Sequence, residues 1–264
     1  MKTVPLIALT TLGGLLLWSV APRPVKAADP APATPPANAP AKPVFTEDFE
    51  TGQLDNKIWD IRVNGGATVK VQQDKVAHGK NALMVTYPQG ARSYAFISTV
   101  AKLDESVKSH LFGRVYVYVD APAYPANHSV FLLAGTPKFP LANFLEIGQV
   151  GGKFQLSYQQ NATGVTRGET TFRGAAMPPL GKWTCMEWEF NDKPDTITVW
   201  LDDKQTDSHP FAFQNVKTEL VKVGPDAGFT ELSLGFRVWG TTTAPITVYY
   251  DDLAISTARI GPIK

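Results

Sequence analysis

From residue 44 onward the chain is a succession of short segments rich in β-branched and aromatic residues, punctuated by Gly, Pro, Asn and Asp. No stretch sustains the apolar period of an amphipathic helix. Strands are predicted at 45–50, 68–72, 82–87, 95–99, 113–119, 129–134, 144–149, 154–159, 183–190, 197–201, 232–239 and 246–253. That many strands in one domain imply two packed antiparallel sheets, an all-β jelly roll, because such a sandwich is one way a β protein manages its sheet edges.

The segment LFGRVYVYV at 111–119 has the most regular alternation. Leu111, Val115, Val117 and Val119 share one face, and Arg114, Tyr116 and Tyr118 the other. Two further segments repeat the pattern. Phe154, Leu156 and Tyr158 oppose Lys153, Gln155, Ser157 and Gln159, and Leu232, Leu234, Phe236 and Val238 oppose Glu231, Ser233, Arg237 and Trp239. We expect these three polar faces to line one concave groove. Tyr, Trp, Arg and amide groups suit a polysaccharide, because aromatic rings cover sugar C–H faces while fixed polar groups read hydroxyls. The plainer alternative is an ordinary half-buried face, since tyrosine is also favoured in strands for packing.

Residues 182–203, KWTCMEWEFNDKPDTITVWLDD, read as a hairpin with Met186, Trp188 and Phe190 on one face and Trp183, Cys185, Glu187 and Glu189 on the other. Paired acids admit glycoside hydrolysis. A solvated strand face is the simpler reading.

Acids also gather in FTEDFETG (45–52) and YYDDLAIS (249–256), and VAHGKNALMV (76–85) carries a polar turn. First and last strands of a jelly roll often run side by side, so Glu50 and Asp252 are expected to converge, with Gly79 offering a carbonyl and Asn81 an amide oxygen. Hard oxygen donors of this mixture suit Ca²⁺; edge acids beside a polar turn are the alternative. Asp251 is expected to point away from Asp252.

Residues 1–27 read as a secretory signal peptide: a basic start at Lys2, an apolar run and a small-x-small cleavage site. Residues 28–43, ADPAPATPPANAPAKP, read as an extended Pro/Ala linker, and 44–264 as the folded domain. Without the leader bases Lys2, Arg23 and Lys26, 22 basic residues face 24 acidic ones, a net charge of −2. That argues against a nucleic-acid or anionic-membrane partner. A secreted monomer is expected, extracellular or periplasmic. Cys185 is the only cysteine, so no disulfide forms within the chain.

Taken together, DFETG, VAHGKNALMV, LFGRVYVYV followed by Asn127-His128, NFLEIGQV, WTCMEWEF and YYDDLAISTARIG resemble the core domain of the family typified by the cellulose-induced protein one of cellulolytic fungi. The resemblance implies a concanavalin A-like jelly roll, secretion with biomass-degrading enzymes, a structural calcium, and kinship in fold to alginate and glucuronan lyases. It implies Glu50, the Gly79 carbonyl, Asn81 and Asp252 as calcium ligands, and His128 as a groove histidine.

A lyase would neutralise a uronate carboxylate with Arg114 or Arg237 and Gln149, and remove the C5 proton with His128 or a tyrosine such as Tyr116. Tyr118, Lys153, Gln155, Arg237 and Trp239 would bind substrate. Two departures bear on this. Glu146 stands where the family carries arginine, which favours a non-catalytic carbohydrate-binding domain or a neutral substrate. Gly261-Pro262 replaces a C-terminal Gly-Cys, which leaves Cys185 without a partner.

Overall fold

Alternating sequence becomes two antiparallel sheets in the computed structural model, which describes residues 42–90, 92–101, 103–135, 143–160, 168–191, 196–210 and 229–264. The eight-stranded sheet runs in the order β13 (Lys204–Pro210), β12 (Thr196–Leu201), β11 (Thr184–Asn191), β6 (His110–Asp120), β15 (Ile246–Ser256), β4 (Ala82–Tyr87) and β3 (Thr68–Gln72), with β1 (Phe45–Glu47) also paired to β15. The seven-stranded sheet runs β10 (Gly168–Ala176), β9 (Lys153–Gln160), β8 (Asn143–Val150), β7 (Ser129–Gly135), β14 (Glu231–Val238), β5 (Tyr94–Thr99) and β2 (Trp59–Asn64). Among the described residues the only helical turn is a 3-10 turn at Glu105–Val107. The leader and nearly all of the linker lie outside the described residues, and so does most of the turn between β11 and β12. Within the described residues no helix is long and apolar enough to cross a membrane.

The core is the space between the two sheets. Leu83, Leu111, Val115, Trp188 and Tyr250 enter it from the eight-stranded sheet, and Ile97, Ile147, Phe154, Leu156 and Phe236 from the other, all essentially solvent-free. Each large apolar side chain buried this way contributes about 1.5–3 kcal/mol. Gly113 is required where β6 faces Trp188, because a Cβ there would collide with the indole. Tyr250 ties the sheets together by donating its hydroxyl to the Gly235 carbonyl at 2.6 Å, with the Phe131 carbonyl at 3.2 Å.

The expected strands are all present, with ends shifted by a few residues. Three others, β2, β10 and β13, were not expected, and each ends its sheet. β13, KQTDSHP, has no apolar alternation, whereas β2, WDIRVN, alternates in sequence although its Ile61 and Val63 are exposed.

One expectation fails. Strand β6 belongs to the eight-stranded sheet, whereas β9 and β14 belong to the seven-stranded one. Because the apolar faces of both sheets meet in the core, their polar faces point to opposite sides of the molecule. Arg114, Tyr116 and Tyr118 therefore share no groove with Gln155, Arg237 and Trp239. Period-two alternation divides each strand into faces but carries no information about which sheet a strand joins.

Candidate functional site

On β8, Leu145 and Ile147 enter the core, which turns Glu146 and Gly148 outward. Register aligns Gly148 with Gln155 on β9 and Val130 on β7, and Val130 with Arg237 on β14. His128 precedes β7 and lies over Gly148, where a Cβ would come within 3.3 Å of the imidazole Nε2 and collide with the Ser129 carbonyl. That Nε2 is 2.7 Å from Glu146 Oε1, an ion-pair distance without the alignment of a hydrogen bond. Glu146 is only 3 % exposed.

Beside this pair, the Arg237 guanidinium stacks 3.5 Å from the centroid of Trp239, which is 50 % exposed. Burial lowers the Arg237 pKa, opposed by the Glu146 carboxylate. The Trp239 amide donates to the His128 carbonyl at 2.8 Å, so the two residues are positioned together. Further along the face, Arg62 bridges Asp60 at 2.8 Å and Glu231 at 3.1 Å, and the Ser98 and Ser233 hydroxyls meet at 2.7 Å. Burial raises the Glu231 pKa, with Arg62 acting against it. Lys153 opens β9 at the exposed rim. The face thus combines an exposed indole, a stacked guanidinium and sunken acid, amide and imidazole groups.

Gln149 does not join this face. It shares the inward parity of Ile147 and is fully buried. Its amide nitrogen lies within hydrogen-bond distance of the Pro125 carbonyl (3.0 Å), the Asn127 carbonyl (3.2 Å) and Ser129 Oγ (2.6 Å), and its oxygen accepts from the Gly152 amide at 2.7 Å. The expected contact with a uronate is therefore corrected to a structural role. Gln149 holds the residues on either side of His128, because a buried amide must satisfy its polar atoms internally.

Arg114 and Tyr116 lie beneath the C-terminal residues. Arg114 Nη1 donates to the Gly261 carbonyl at 3.2 Å, and the Ile263 amide donates to the Tyr116 hydroxyl at 3.0 Å. Burial raises the Tyr116 pKa. Arg259 Nη2 contacts Glu187 at 2.7 Å and Asp203 at 2.6 Å, and the Gly261 amide donates to Glu187 at 2.7 Å. Glu187 is consequently 1 % exposed rather than part of a solvated face, while Glu189 pairs with His110 at 2.6 Å. With these partners the two glutamates do not form an open acid–base pair. Tyr118, next along β6, lies beyond the tail among other aromatic rings.

The acidic corner forms where β15 changes partner. It pairs with β4 through Tyr250 and with β1 from Leu253, and its register with β6 slips between Asp251 and Ala254. Asp252 and Phe49 both adopt positive φ, at 50° and 59°, a conformation uncommon for residues other than glycine. The bulge turns both aspartates toward the same loop, contrary to the expected divergence. Asp251 accepts from the Ala77 and His78 amides at 2.9 and 3.2 Å, and Asp252 lies 2.5 Å from His78 Nδ1. Burial pushes the Asp251 pKa up to about 6, against those amide donors.

Glu50 accepts from the Lys80 and Asn81 amides at 2.8 and 2.9 Å, bonds that hold its pKa low. Asn81 Nδ2 donates to the Glu50 carbonyl at 3.3 Å. A Cβ on Gly79 would strike the Glu50 carboxylate, so the approach depends on glycine. These hard oxygens fit Ca²⁺ in kind. Among the described residues no three His, Cys, Asp or Glu side chains gather to hold a metal. A cation here would therefore draw on the Gly79 carbonyl and the Asn81 amide as well as the two carboxylates.

The sheet geometry has counterparts among known structures, all at identities that speak to fold alone. "Cellulose induced protein, Cip1" is 19% identical with a TM-score of 0.59, covering 83% of this chain and 100% of its own. An endo-β-1,4-glucuronan lyase from the fungus Trichoderma reesei is 15% identical with a TM-score of 0.60, covering 82% and 96%. The binding domain of botulinum neurotoxin serotype D/C is 10% identical with a TM-score of 0.53, covering 84% of this chain and 49% of that one. No curated protein matches the chain. Residues 48–258 match the polysaccharide-lyase-like family model described as the Cip1-like core domain, and the chain belongs to that family.

Proposed function

We propose that this domain binds a polysaccharide on the outward face of the seven-stranded sheet, with Trp239 as the stacking surface and Arg237, Glu146, His128, Gln155 and Lys153 as its polar contacts. The observation that carries this reading is the Arg237 guanidinium stacked on a half-exposed Trp239 beside the sunken Glu146–His128 pair. An indole held flat by a guanidinium is pre-organised for a sugar ring, and buried polar groups that cannot move give specificity. Membership of a polysaccharide-lyase-like family supports the ligand class.

The charges support a neutral glycan. Arg237 stands near Glu146, and Arg62 is matched by Asp60 and Glu231, so an incoming uronate would meet carboxylates as well as cations. In this reading the domain is a secreted monomer released after residue 27, with a structural Ca²⁺ at the acidic corner. Affinity gels containing mixed-linkage β-glucan, glucuronan or alginate test it. Wild type is retarded by the neutral polymer and Trp239→Ala is retarded less; equal migration of the two proteins in every gel overturns the site.

The Glu146 contact with His128 favours a second reading, a lyase in which His128 removes the C5 proton. Of the residues expected to carry that chemistry, only His128 and Arg237 lie on this face. Ultraviolet absorbance of unsaturated chain ends in glucuronan and alginate digests decides it. A rise that His128→Ala abolishes supports elimination, and no rise with either polymer eliminates it.

A further inference from the structure

The outer face of the eight-stranded sheet is only partly covered by the C-terminal tail, and the uncovered part is ordered in an informative way. Register puts Tyr118 opposite Tyr249, Tyr249 opposite Met84, and Met84 opposite Lys70. Trp183, one residue before the Thr184–Val117 pair, stands beside Tyr118 with ring centroids 5.7 Å apart. Trp183, Tyr118, Tyr249 and Met84 thus form a line perpendicular to the strands, and all four are partly exposed. With Lys70 at its end the line crosses five strands, about 19 Å at the usual strand spacing.

A second line runs alongside it, two residues further along the same face. Asp120 pairs with Thr247, Thr247 with Thr86, and Thr86 with Thr68, giving a carboxylate and three hydroxyls in register. Lys75 joins the two lines: its ammonium lies 4.0 Å from the Tyr118 centroid and 5.1 Å from that of Tyr249, and it pairs with Asp120 at 3.2 Å. Lys182, next to Trp183, pairs with Asp202 at 3.5 Å. Charge around the rings is therefore matched locally.

We propose that this strip is a second glycan-binding surface, taking a segment of neutral, hydroxyl-rich polysaccharide on the side of the molecule opposite Trp239. The inference rests on the polysaccharide reading above. Trp183 supplies the apolar plate for a sugar C–H face, and Lys75, Asp120 and the threonine line supply donors and acceptors for hydroxyls at the chain's edge. An aromatic row next to a hydroxyl row presents the two kinds of surface that a sugar chain itself presents. Matched charges exclude strong selection for an anionic polymer, so binding is insensitive to salt.

The test compares wild type, Trp183→Ala, Tyr249→Ala and Trp239→Ala by affinity gel on mixed-linkage β-glucan and by calorimetry with cellohexaose, with thermal midpoints as the folding control. Two sites per chain are expected for wild type. Trp183→Ala and Tyr249→Ala each lose one site and bind the polymer at least roughly tenfold more weakly, as aromatic anchors do; Trp239→Ala loses the other site. Tyr249→Phe keeps the ring and holds the strip if Tyr249→Ala does not fold. One site per chain, lost only in Trp239→Ala, overturns the strip and leaves the first site standing. One site lost only in the Trp183 and Tyr249 variants keeps the strip and overturns the first site, and no binding by wild type overturns both.

Discussion

Arg259 Nη2 stands 2.7 Å from Glu187 Oε2, and this contact fastens the end of the chain across strand β11. Glu187 is a buried carboxylate whose charge is offset by residues 72 and 74 positions later, Arg259 and Gly261. Removing Arg259 leaves that carboxylate, among the described residues, with the Gly261 amide as its hydrogen-bond partner. We expect Arg259→Ala to lower unfolding free energy by about 2–4 kcal/mol, near the lower end for breaking a buried pair, since Arg259 is itself partly exposed. Denaturant midpoints measure this, and a loss within error of zero would show that Glu187 is compensated in another way.

Cys185 lies on the same face beneath the tail. Burial pushes its thiol up to about 12, with the Glu187 carboxylate adding to the shift. The thiolate is the reactive form, so the folded protein should resist maleimide at neutral and mildly alkaline pH. A chain ending at residue 258 should label readily under the same conditions, because the covering segment is gone. Fast labelling of the intact folded protein would contradict the assigned burial.

Calcium at Glu50, Gly79, Asn81 and Asp252 should appear as linked stability. Saturation at about 100-fold over the dissociation constant adds about 2.7 kcal/mol, or roughly 5–10 °C for a domain of this size. A chelator should lower the thermal midpoint by that amount and added Ca²⁺ restore it. Asp252→Asn should abolish the response. An unchanged midpoint with no metal by elemental analysis would rule the ion out.

Glu231 should give the stability curve a specific slope. Its folded pKa is raised by burial, so just above the ordinary carboxylate range the folded state holds a proton that the unfolded state has released. Stability is therefore higher on the acid side of that window and declines as pH rises through the folded value. Glu231→Gln should flatten the decline, and Arg62 keeps Asp60 as its partner. Parallel curves for the two proteins between mildly acidic and neutral pH would refute this origin.

Much of the architecture was legible before any coordinates. Alternation at 111–119 separated Val115 and Val117 from Arg114 and Tyr116 correctly, and the pairing of first and last strands brought Glu50, Gly79, Asn81 and Asp252 to one loop system. The edge strand β13, KQTDSHP, leaves no apolar pattern in the sequence, and β2, WDIRVN, alternates over six residues only. The partner of Glu146 was also hidden. Nothing in the order of residues relates positions 128 and 146; their meeting depends on the β7–β8 register and on Gly148 having no side chain.

The sequence by itself determined that this chain is a two-sheet β sandwich and which side of β6, β9 and β14 enters the core, because side-chain alternation is a local property of the backbone. Only the tertiary structure decided which polar faces look the same way. Strand order depends on pairing between distant segments, and a strand that joins one sheet rather than the other sends an identical polar face to the opposite side of the molecule. That choice moved Arg114 and Tyr116 under the C-terminal tail, put Arg237 beside Glu146, and lined up Trp183, Tyr118 and Tyr249 on a surface of their own.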